Sequence, residues 1–118
     1  MDRELTDKEA SLIAWLLEHG NDKARSHISS ISDARVVSEC ACGCATIDLS
    51  IGGALPLESA GLEVVSDYLW KSSAGAENGI FVFLKENQLA GMEVWSIDGT
   101  EVPGLPEIDQ LRPYDGST

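Results

Sequence analysis

Residues 34–51, ARVVSECACGCATIDLSI, decide how this chain is read. Cys40, Cys42 and Cys44 stand at alternate positions with Gly43 between the last two, so the stretch is either a ligand cluster or a turn between strands. Register separates the two. With Cys42 and Gly43 as a two-residue turn, Leu49 faces Val36, Ile47 faces Ser38 and Ala45 faces Cys40. Val36, Cys40, Ala45, Ile47 and Leu49 then share one face, while Glu39, Thr46, Asp48 and Ser50 share the other. That division suits a sheet covered on one side, and a one-residue slip scrambles it. On this reading the cysteines are small polarizable residues packed near a turn, and no cofactor is expected.

The alternative is a metal site made of Cys40, Cys42 and Cys44. A structural zinc site takes four ligands, commonly from paired C-x2-C units, whereas the spacing here is C-x-C-G-C with no second cluster. A fourth ligand would have to come from His19, His27 or a carboxylate. Alternate residues of a strand share a face, so zinc or copper is the ion class this motif would take. A redox centre fits less well, because the C-x-x-C spacing and a helix start are both missing.

Outward from the hairpin, the N-terminal side reads as helical. Thr6 and Glu9 form a capping box, and Leu12, Ile13, Leu16 and Leu17 follow at helical spacing. The helix is predicted over residues 6–19, with His19 meeting the C-terminal dipole and Gly20 as a left-handed stop. Asn21 or Asp22 caps a second helix, whose apolar face is Ala24, His27, Ile28 and Ile31 and which ends near residue 30. Trp15 lies off the main apolar stripe.

On the C-terminal side, residues 62–72 read as a strand carrying Tyr68 and Trp70. Residues 80–86 and 89–97 form a hairpin joined by Asn87 and Gln88, with Gly91 marking a bulge. The last segment holds three of the four prolines and reads as an extended tail in which Leu105, Ile108 and Leu111 dock. Helices first and strands afterwards signal an α+β fold. The expected architecture is two N-terminal helices packed on one face of an antiparallel sheet of about five strands, with a Pro-rich C-terminal tail. The 118 residues form one domain, helical over 1–31, sheet over 34–98 and tail over 99–118.

Charge bears on partners. Twenty acids against eight bases give −12, and residues 36–118 alone carry thirteen acids against three bases, net −10. Such a field repels nucleic acid and anionic membrane and speeds encounter with a basic protein. No apolar run has the length of a membrane span, and the charged N-terminus MDRELTDKEA lacks a secretory signal's apolar core, so a cytoplasmic place is expected. The acids Glu63, Asp67, Glu93 and Asp98, together with Trp95, are the expected partner contacts, since tryptophan anchors many interfaces. No phosphate loop, zinc-protease helix or nucleophile elbow is present, so no catalytic residue is assigned.

The segments RELTDKEASLIAWLLEHG, CACGCATIDL and NQLAGMEVWSIDG, with the prolines after them, together resemble a group of small bacterial proteins built on a domain of unknown function. Met92 stands where that group's strand has Leu. The resemblance implies no catalytic residue. By type, small acidic α+β proteins are similar to immunity proteins that neutralise basic toxin domains. The function expected is therefore a non-catalytic, protein-binding one, with zinc binding as the alternative. The wet face of the sheet, or its edge, is also able to pair two copies.

Overall fold

The computed structural model describes residues 1–57 and 59–114. A short strand β1 (Arg3–Glu4) precedes helix α1 (Asp7–Glu18), the four-residue helix α2 (Asp22–Arg25) and a 3-10 turn at Ile28–Asp33. Five strands follow: β2 (Ala34–Glu39), β3 (Ile47–Ile51), β4 (Leu62–Lys71), β5 (Glu77–Lys85) and β6 (Gln88–Ser96). A second 3-10 turn at Ile108–Gln110 leads into β7 (Arg112–Pro113). All the strands lie in one antiparallel sheet, ordered β1-β2-β3-β6-β5-β4-β7.

This corrects the expected α+β architecture of two helices on about five strands. The sheet has seven strands and dominates the molecule, and α1 is the one helix longer than two turns among the described residues. The second helix fails because serines at 26, 29, 30 and 32 offer the backbone local hydroxyl partners. Ser26 donates to the Lys23 carbonyl at 2.7 Å and Ser32 to the Ser29 carbonyl at 3.2 Å, and the chain tightens into 3-10 turns. The two extra strands are two residues long. Each is drafted onto an edge that already exists: β1 pairs with β2, and β7 pairs with β4, placing Pro113 where an edge strand tolerates a missing donor. Of the three tail residues expected to dock, Leu105 and Leu111 pack against the core while Ile108 is exposed.

The α1 reading holds in detail. The Thr6 hydroxyl accepts the Glu9 amide at 3.1 Å and the Glu9 carboxylate accepts the Thr6 amide at 2.8 Å. Leu12, Ile13, Leu16 and Leu17 are fully buried and share a core with Val36, Ile47, Leu49, Ile80, Val82 and Met92. Gly20 departs from expectation, since it has no left-handed backbone. Instead the chain passes so close to β4 that an added Cβ would lie 2.4 Å from the Val65 carbonyl oxygen. A bulge at Val65 presents that carbonyl to the Asn21 amide at 2.9 Å.

Two turns also differ. The β5–β6 turn is Glu86–Asn87, both at positive φ, as a two-residue type I′ turn requires, and Gln88 already pairs with Lys85. The β2–β3 hairpin does pair Val36 with Leu49, but a bulge at Val37 shifts the register so that Ser38 meets Asp48 and Glu39 meets Ile47. The strands end there. Residues 40–46 form a loop instead of a two-residue turn, with Gly43 at φ 89°.

Candidate functional site

Strand alternation gives the sheet a second face, opposite α1. Ile80, Val82, Met92, Val94 and Trp70 point into the core with the helix. Asp67, Phe81, Phe83, Glu93, Trp95 and Asp48 therefore project the other way. The register sets them in rows, Asp67–Phe81–Glu93 across three strands and Phe83–Gly91–Asp48 beside it. Gly91 is needed there because a Cβ would lie 2.5 Å from the Phe83 ring and 2.6 Å from the Ile47 carbonyl oxygen. Trp95 lies across Gly79, whose absent Cβ leaves room for the indole, and remains 37% exposed.

The acids of this face are set apart electrostatically. Seven of the eight basic side chains are ion-paired with other acids, for example Arg3 with Glu9 and Glu39, Lys23 with Glu63, and Arg112 with Glu77, and the eighth, Lys85, borders the cleft that Asp48 and Phe83 line. Asp48, Asp67 and Glu93 take part in no ion pair among the described residues. Partial burial pushes the Glu93 carboxyl above the usual carboxylate range, and the charge of Asp48 adds to the shift. Burial likewise raises Asp67, one of whose carboxylate oxygens is enclosed without a hydrogen-bond partner.

Of the five expected contacts, Asp67, Glu93 and Trp95 thus share a face. Glu63 is instead held by Lys23 at 3.0 Å, on the side of the helices. Asp98 sits in the turn after β6, where hydrogen bonds from the Thr100 hydroxyl and amide hold its carboxyl below the usual range. Asp48 and Phe81 complete the accessible part of the face and were missed as contacts, although their alternation with buried neighbours is legible in IDLSI and IFVFL; Phe83, on the same side, is buried.

The three cysteines form a second cluster. The 40–46 loop is closed at its base by the Cys40 amide donating to the Thr46 carbonyl at 3.3 Å. The Thr46 hydroxyl carries the ladder on to β6, accepting the Val94 amide at 3.0 Å and donating to the Val94 carbonyl at 3.1 Å. The Ala45 amide donates to the Pro103 carbonyl at 3.1 Å, which ties the loop to the C-terminal segment. Inside this frame the sulfurs of Cys40, Cys42 and Cys44 converge within 4.8 Å of one another. Cys40 and Cys42 stand in disulfide contact with Cα atoms 5.3 Å apart, and the Cys42 and Cys44 sulfurs are 2.9 Å apart. Cys42 is exposed, Cys40 is half-buried, and the half-buried Cys44 packs against the core. Cys40 and Cys44 border a cleft whose far wall is Arg3, Glu9 and Glu39.

The histidines stand elsewhere. His19 Nδ1 lies 2.8 Å from the Trp15 carbonyl at the end of α1, and its ring stacks on Trp15 at 4.1 Å. Trp15 in turn meets Tyr68 edge-on at 4.9 Å, which seats the helix end on β4. Among the described residues no helix is long and apolar enough to cross a membrane. Searches against family models, curated proteins and solved structures found no match to this chain.

Proposed function

We propose that this is a non-catalytic protein-binding domain of immunity type, which engages a basic protein through the sheet face opposite α1. The observation that carries the reading is the set of acids Asp48, Asp67 and Glu93 around Phe81, Phe83 and Trp95, which enter no ion pair among the described residues although Lys85 borders the cleft at Asp48. The partly desolvated carboxylates of Asp67 and Glu93 are costly until a cation arrives, and the exposed edge of Trp95 is an aromatic anchor of the kind that supplies binding energy at interfaces. The charge of −10 over residues 36–118 steers a basic partner in and turns nucleic acid and anionic membrane away. The setting proposed is the cytoplasm, whose reducing conditions would keep Cys40 and Cys42, in disulfide contact here, as thiols.

The test is affinity capture at low salt from cells of the source organism, using the wild-type chain and the double variant Asp48→Lys, Glu93→Lys. A basic protein should be retained by the wild type, released as sodium chloride rises to half molar, and not retained by the variant. Retention that ignores both salt and the double substitution would refute the proposal.

A further inference from the structure

The Cys40–Cys42–Cys44 loop lies apart from the acidic face and has the chemistry of a metal nest. We propose that, in the reduced chain, these three thiolates form a site for one soft closed-shell ion, Cu(I). The proposal is independent of the binding role assigned to the sheet face.

Four observations carry it. The three sulfurs converge from a loop of seven residues, all within 4.8 Å. An ion held at about 2.3 Å from three sulfurs needs them about 4 Å apart, a spacing that small side-chain rotations from this cluster reach. The loop's backbone amides are aimed at the sulfurs: Cys42 N–H at Cys40 Sγ, 3.4 Å away, and Cys44 N–H at Cys42 Sγ, 3.3 Å away. Donors so placed hold the sulfurs in position as second-layer hydrogen bonds do around metal ligands.

The frame is also built before any ion arrives. Gly43 takes the positive φ that lets the chain fold back, while Thr46, Pro103 and the loop-closing Cys40 amide hold the ends. The fourth observation is the donor set. It is all sulfur, and no histidine or carboxylate joins the cluster among the described residues, the nearby Glu39 being held by Arg3 at 2.8 Å. Structural zinc wants a fourth protein ligand and an iron–sulfur cluster usually takes four cysteines, whereas Cu(I) is satisfied by two or three thiolates.

Coordination releases the thiol protons to solvent, and copper stays Cu(I), so no electron moves. The resulting anionic complex lies across the cleft from the Arg3 guanidinium.

The experiment uses the full chain, reduced and handled without oxygen, titrated against the coloured Cu(I)–bicinchoninate complex. The expected result is withdrawal of one copper per chain, with an X-ray absorption spectrum showing a sulfur-only shell of three. The triple variant C40S/C42S/C44S should withdraw none while keeping the wild-type circular dichroism, and each single Cys→Ser change should weaken retention at least tenfold. If the triple variant loses its fold, the spectrum of the copper-loaded wild type decides alone. No copper withdrawn, copper retained equally by a folded triple variant, or retention of Zn(II) in its place would each overturn the assignment. So would a thiol count of one in chain freshly isolated without oxygen, which would make Cys40–Cys42 a structural disulfide.

Discussion

Arg3 holds two acids at once. Its guanidinium meets the Glu9 carboxylate with two bonds of 2.9 Å and donates to Glu39 at 2.8 Å, joining the first strand, the helix start and the end of β2. The hydrogen bonds from Arg3 hold the Glu9 carboxyl below its ordinary range, and Glu9 is almost fully buried. Because the folded value lies below the unfolded one, this contribution is complete at pH above the ordinary glutamate range and is lost as pH falls through the folded value. Glu9→Ala should therefore cost about 2 kcal/mol at neutral pH, between the loss of a cap and the breaking of a buried pair. Thermal melts of wild type and variant should converge in acid. The glycines of the second face give a different comparison. At Gly91 a methyl group would press on a backbone oxygen that cannot move aside, whereas at Gly79 it meets the partly exposed Trp95 ring. Gly91→Ala is expected to cost about 2–3 kcal/mol and Gly79→Ala less, as chemical denaturation would measure.

The β5–β6 hairpin shows how an element's end is chosen. Both Glu86 and Asn87 hold positive φ, and asparagine is the side chain better suited to it. The Glu86 carboxylate accepts the Leu57 amide at 2.5 Å, a contact that gives this unusual glutamate a task. Asn87→Ala should destabilise by about 1 kcal/mol, because alanine lacks asparagine's tolerance of that backbone. The hairpin itself is legible from IFVFL and LAGMEVW, yet its turn lies one residue earlier than Asn87–Gln88. Asn87 marks where a turn is permitted; the bulge opposite Phe83 and Leu84, where β6 carries one residue more, sets which pair of residues makes it. The β2–β3 hairpin has the same history. The Val36–Leu49 pair follows from alternation alone, while the bulge at Val37 and the seven-residue cysteine loop do not, since each depends on where β6 and the C-terminal segment come to lie.

Across the whole molecule most cations are tied up in ion pairs, and Asp48, Asp67 and Glu93 of the second face stand outside those pairs among the described residues. Asp67 and Glu93 have raised values, so they are the first of the characterised carboxyls to protonate as pH falls, while Glu9 is among the last. Binding of a basic partner should accordingly weaken at a pH where the fold is still intact, a separation that calorimetric titration beside thermal melts would expose. The sign for stability is opposite to that of Glu9. A carboxyl raised on folding opposes folding once the unfolded chain has ionised, so Glu93→Gln should raise the neutral-pH melting temperature, with the gain vanishing below the ordinary glutamate range.

What the sequence determined by itself is local: the capping box and the apolar stripe of α1, the alternation that makes the strands, and the C-x-C-G-C spacing. Each is a relation between residues a few positions apart, and elementary geometry turns it into structure. What only the tertiary structure decided is long-range: that two-residue edge strands extend the sheet to seven, that the cysteine sulfurs meet in a framed loop, and that Asp48 stands beside Glu93. Such contacts form only where distant segments are brought together by the shared core, and no short window of sequence carries that information.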